Sequence, residues 1–130
     1  MNDLDDAVLD GFGEAFIHRV RDATLAETDD ILIGRGRPEW KQEFHATLAG
    51  SMDLQQRELV RHVVAIAVDT AMHNLLWMIE STPELRLEAV GPDDQRHDLV
   101  SASDGLSGEL WTEDGWIARF SRDPDPGAPT

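Results

Sequence analysis

His62, Asp69, His73 and Glu80 stand seven, four and seven residues apart, so on a helix all four share one side. Imidazole and carboxylate groups at i and i+4, as in Asp69 and His73, can hold a metal or relay a proton. Glu14 and His18 repeat that spacing near the N-terminus. On facing helices the two pairs would give a four-residue metal site of Glu14, His18, Asp69 and His73, with His18, Asp69 and His73 as its small-ligand variant. The spacing argues against it, because di-metal bundles use Glu-x-x-His at i and i+3. His62 also lies two turns from Asp69, about 10 Å along a helix axis. The stripe opposes the apolar side of the same helix. The sequence therefore predicts a solvated face with a helix ion pair, and no metal, cofactor or catalytic residue. No serine sits in a Gly-x-Ser-x-Gly elbow, which removes the commonest nucleophile motif.

Two groups of residues point to binding instead. Trp111 and Trp116 flank Glu113-Asp114-Gly115, with Asp104 and Glu109 close in sequence. Tryptophans beside carboxylates suit a surface that draws in a basic partner and then buries aromatic rings. Asp104, Glu109, Trp111, Glu113, Asp114 and Trp116 are the candidate contact residues. Ile66, Leu76 and Trp77 flank the polar side of the long helix. They predict a second covered surface, made either by other helices of the chain or by a dimer or partner with Trp77 as anchor. Gly34-Arg35-Gly36-Arg37-Pro38 is the one basic loop, and it lacks the Gly-Lys-Ser/Thr of a phosphate loop. Its arginines are expected to pair with acids of the same chain.

The elements that carry these residues follow from periodicity. Leu4, Val8, Phe12, Phe16 and Val20 recur every four residues and predict a helix from Asp3 to about Thr24, weakened by Gly11 and Gly13. A short helix is expected over 39–49 with Trp40, Phe44, Thr47 and Leu48 inward. Asp53 and Gln56 form a capping-box pattern, and no glycine or proline interrupts the run to Ser81. That long central helix, about 53–81, should bury Val60, Val64, Ala67, Val68, Ala71, Leu75 and Met78. After Pro83 the period drops to two, and strands are predicted over 85–89, 97–101, 108–112 and 116–121. The expected class is α+β: N-terminal helices followed by an antiparallel meander or hairpin of three to four strands. Residues 1–122 would form one globular domain and 123–130 a disordered acidic, proline-rich tail.

Composition narrows the function classes. The 130 residues hold 26 Asp+Glu against 11 Lys+Arg, a net charge of −15, and no cysteine. Disulfides, thiolate metal sites and cysteine nucleophiles are excluded, and general nucleic-acid binding is opposed by charge. Residues 1–30 carry a net −7 and residues 80–130 a net −8, whereas 31–79 are neutral. No apolar run reaches membrane-span length, and the acidic start is unlike a leader, so a cytoplasmic, membrane-free protein is expected. Ten arginines to one lysine suggest a GC-rich bacterial genome. These features predict a non-catalytic interaction module, of the inhibitor or immunity type, that neutralises a basic partner such as a nuclease toxin. The alternatives are a structural or homodimerising domain and the metal or small-ligand site.

Overall fold

The structure, a computed structural model, describes residues 3–36 and 41–125. Helix α1 (Asp3–Phe16) opens with Asp3, Asp5 and Asp6, which complement the positive end of its dipole. It runs on through a widened π-helical turn, Ile17–Asp22, into α2 (Ala23–Leu32). The helix thus extends beyond the Thr24 end expected from sequence. The wide turn explains the change. A row of residues at constant four-residue spacing drifts by ~40° per step on an α-helix. The widened turn corrects this drift, so Gly13, Ile17, Arg21 and Leu25 all stay inward while Val20 turns out.

Gly34 (φ +81°) ends this helix pair in the left-handed conformation that suits glycine. Helix α3 spans Gln42–Gly50, somewhat later than expected. Its inward residue is His45, not the expected Phe44 or Thr47, which are both exposed. Trp40 lies outside the described residues. Helix α4 (Leu54–Ser81) bears out the longest expected element. Asp53 accepts from the Gln56 N–H, and the Gln56 side chain accepts from the Asp53 N–H.

The orientation of α4 corrects the sequence reading. Ala65, Met72 and Leu76 are its buried residues. Ala67, Ala71, Leu75 and Met78, expected in the core, are exposed, and Val60, Val64 and Val68 are only half-buried. The expected solvated stripe instead turns inward at Asp69, His73 and Glu80. Each of these finds a partner there, as the site geometry shows below. An apolar arc covering more than half of a helix does not say which part packs, and here the polar contacts decided it.

The C-terminal third also departs from expectation. Among the described residues helices take 69%, beside one two-stranded antiparallel sheet, and the expected three or four strands are not formed there. Strands β1 (Glu88–Val90) and β2 (Arg96–Asp98) pair with Ala89 opposite His97. Asp98 then caps α5 (Leu99–Ala102) through the Val100 and Ser101 N–H groups. Residues 108–112 and 116–121 are not a hairpin. Leu106–Leu110 form a 3-10 turn and Trp116–Phe120 form α6. Burial shows why: the adjacent Trp116 and Ile117 both enter the core, whereas adjacent strand residues face opposite sides. The core gathers α1, α4, α5, the 3-10 turn and α6 around Leu76, Leu110 and Trp116.

His97 pins the sheet to α1. Its Nδ1–H donates to Asp5 at 2.8 Å and its Nε2–H to Asp93 at 3.0 Å. The hydrogen bond to Asp93, then that to Asp5, raises the His97 pKa, and the same bond lowers that of Asp93. The sign follows from linkage. The His97 contribution is complete below the unfolded histidine value of about 6.5 and is lost as pH rises through the higher folded value. The Asp93 contribution is complete above about pH 4 and is lost as pH falls through its lower folded value. Melting temperatures should therefore separate wild type from His97→Gln most widely between these limits, with the gap shrinking toward pH 9. A gap independent of pH would show that the imidazolium pairs add no stability.

Candidate functional site

The residues singled out by sequence divide into an inner polar seam and an exposed corner. The seam is built on Arg21, which is fully buried in the widened turn. Its Nε donates to Asp69 Oδ1 at 2.6 Å and its Nη2 to Asp69 Oδ2 at 3.3 Å. Its Nη1 donates to the Ser121 hydroxyl and to the Asp123 carbonyl. The Asp22 carboxylate accepts from Ser121 Oγ–H and the Arg122 N–H. Arg61 ties α4 to α2 through Asp29 and to the C-terminal segment through Asp123. Residues 121–124 are thus bound to the helices by polar contacts; 126–130 lie outside the described residues. This arrangement is structural, since its donors and acceptors are used on one another.

Further along α4, the Trp111 indole N–H donates to His73 Nδ1 at 3.0 Å, and the two rings stand 5.9 Å apart. Glu80 accepts from the Ser107 N–H at 2.9 Å and so caps the 3-10 turn. Burial pushes the Glu80 pKa up, but the hydrogen bonds from Ser107 outweigh it and hold the carboxylate below its ordinary value. His18 donates to the Phe120 carbonyl, and Glu14 is exposed. Three of the four residues of the metal alternative are therefore held in separate contacts, Asp69 with Arg21, His73 with Trp111 and His18 with Phe120. Among the described residues no group of three or more histidines and carboxylates is placed to hold a metal ion.

The exposed corner surrounds Trp111. Trp111 is 39% exposed, with its indole N–H fixed by His73, whereas Trp116 is fully buried and leaves the set of contact residues. Asp104, Glu113 and Asp114 are exposed, and Glu109 is half-buried beside them. Glu109 accepts from the Ser103 hydroxyl at 3.2 Å. Its pKa is raised, first by burial and then by repulsion from Asp10 and Asp104. Arg119 is the local counter-charge: it grips Asp10 with both terminal nitrogens and feels Glu109 and Asp114. One arginine thus stands among three carboxylates, Asp10, Glu109 and Asp114. Thr112, between Trp111 and Glu113, has φ +76°. That conformation is costly for a β-branched residue, on the order of 1–3 kcal/mol, and strain of this kind gathers at functional turns. Sequence reading missed Arg21 and Thr112. The signal for Arg21 was Asp69, a carboxylate in an otherwise apolar stretch, which needs a cation when it is covered.

The basic loop is partly described. Gly36 is buried against Ile31 and His45, its carbonyl accepts from Gln42 Nε2 at 2.6 Å, and Arg35 is exposed. Arg37 and Pro38 lie outside the described residues. A second surface lies on the outer side of α4, where Ile66 and Trp77 are 54% and 57% exposed. Leu76, grouped with them by sequence, is instead fully buried. No family model, curated protein or solved structure matches the chain.

Proposed function

We propose that the chain is a protein-interaction module of the inhibitor or immunity type, which engages a basic protein through the corner formed by Asp104, Glu109, Trp111, Glu113 and Asp114. The observation that carries this reading is the turn with Thr112 at positive φ, which follows the exposed Trp111 directly with the exposed Glu113 and Asp114. Clustered carboxylates steer a cationic partner, and a tryptophan fixed at its N–H offers a rigid ring for burial at little entropic cost. A cytoplasmic setting fits this role. Nucleic acid is a poor partner for a chain of charge −15.

The test places a photo-crosslinking amino acid at Glu113 and, as a control, at the exposed Glu14 on α1. Adducts at 113 but not at 14, with a protein of pI above about 9, are expected. With that protein purified, Glu113→Gln/Asp114→Asn should slow association about tenfold at low salt and flatten its salt dependence. Adducts only with neutral or acidic proteins, or association rates untouched by the double substitution, would remove the assignment.

A further inference from the structure

The outer face of α4 is an uncharged strip. Arg61 and Asp69 are the only Asp, Glu, Lys or Arg between Leu59 and Met78, and both are turned inward in ion pairs. The strip left outside has the spacing of a helix seam. Val60, Val64, Ala67, Ala71, Asn74 and Met78 follow one another at intervals of four, three, four, three and four residues. The series is palindromic about position 69. Reversed on itself, it sets Val60 against Met78, Val64 against Asn74 and Ala67 against Ala71. All six are exposed or half-buried.

We propose that this face is the seam of an antiparallel homodimer, with α4 of a second copy crossing at Ala67 and Ala71. Self-complementarity under a two-fold axis is the requirement for an isologous interface, and the palindrome meets it. The small residues at the centre let the two backbones approach, and Asn74 is the sort of polar seam position that fixes register. Charge chooses the occupant: a basic partner would call for carboxylates along the strip, and the strip has none. A chain of −15 can join its own copy with least repulsion through its neutral middle, residues 31–79. Area agrees. About 20 residues of helix extend roughly 30 Å, and a helix seam of that length buries on the order of 600 Å² per copy, near the lower bound for a specific dimer.

Contrary to the expectation from sequence, α4 is long and apolar enough, by length and composition, to cross a membrane. Spanning would draw α1, the widened turn and α2, with their nine carboxylates, into the bilayer, because Arg21–Asp69 and Arg61–Asp29 hold them to α4. The dimer is independent of the acidic corner, none of whose carboxylates lies on α4.

Sedimentation equilibrium of the intact chain is expected to give twice 14.5 kDa at tens of micromolar. Added salt should tighten the dimer, the opposite of its effect on a basic partner. Ala67→Glu, at an exposed position, should weaken association at least a hundredfold while leaving the circular dichroism spectrum unchanged. The cysteine-free chain permits an orientation test. Val60→Cys and Met78→Cys proteins should form a disulfide when mixed, and neither should do so alone. A monomer at about 100 µM, partition of monomer into phosphatidylcholine vesicles, or self-linking of Val60→Cys would each overturn the proposal.

Discussion

Asp69→Ala is expected to destabilise the fold by about 3–5 kcal/mol, the cost of leaving a buried charge without its partner. The Arg21 side chain is 1% exposed and that of Asp69 17%, so solvent cannot take over the lost contacts. Removing the carboxylate strands Nε and leaves Nη2 only the Pro124 carbonyl at 3.5 Å, while Nη1 keeps Ser121 and the Asp123 carbonyl. Urea denaturation would read the loss as a fall in midpoint at nearly constant slope. The double variant Arg21→Met/Asp69→Leu separates two explanations. If the cost is that of a guanidinium left without Asp69, the double variant is more stable than Asp69→Ala, because the buried guanidinium is gone and Asp22 keeps its bonds from Ser121 and Arg122. If the double variant is the weaker, or if Asp69→Ala loses under about 1 kcal/mol, the pair is not what holds α4 against the widened turn.

That pair also shows how far the sequence could be read. The extent of α4 was legible, because a capping box at Asp53 and Gln56 and a proline at Pro83 act within a few residues. The break at Gly34 was legible for the same reason. Which face of α4 turns inward was not. That choice depends on Arg21, 48 residues away, and on a widened turn that no residue pattern announces. The C-terminal strands were overread. Alternation over residues 85–89 is real, and β1 forms in its second half, but Trp116 and Phe120 at i and i+4 fit a helix turn better than a strand. At the corner, the carboxylates and Trp111 could be named from sequence, whereas the burial of Trp116 and the strain at Thr112 are tertiary facts.

Gly13→Ala and Gly11→Ala should move stability in opposite directions, although periodicity treats the two glycines alike. At an unhindered helix position alanine gains up to about 1 kcal/mol over glycine. Gly11 is such a position: a Cβ there meets nothing within 4 Å. At Gly13 a Cβ would stand 2.5 Å from Cε2 and Nε1 of Trp116. That indole is fully buried, with Phe12 edge-on to it at 5.7 Å, so it has little room to retreat. Its N–H has no hydrogen-bond acceptor, and it lies against the α1 backbone where only glycine admits it. Overpacking of a filled core costs about 1–3 kcal/mol, which outweighs the helix gain. Gly13→Ala should therefore lower the urea midpoint and alter the near-ultraviolet circular dichroism of Trp116, while Gly11→Ala raises the midpoint and leaves that signal alone. Equal midpoints for the two variants would mean that Trp116 does not seat on Gly13, and the close approach of α1 and α6 would have to be redrawn. The same glycine that weakens α1 as a helix is thus what lets the largest side chain of the core enter it.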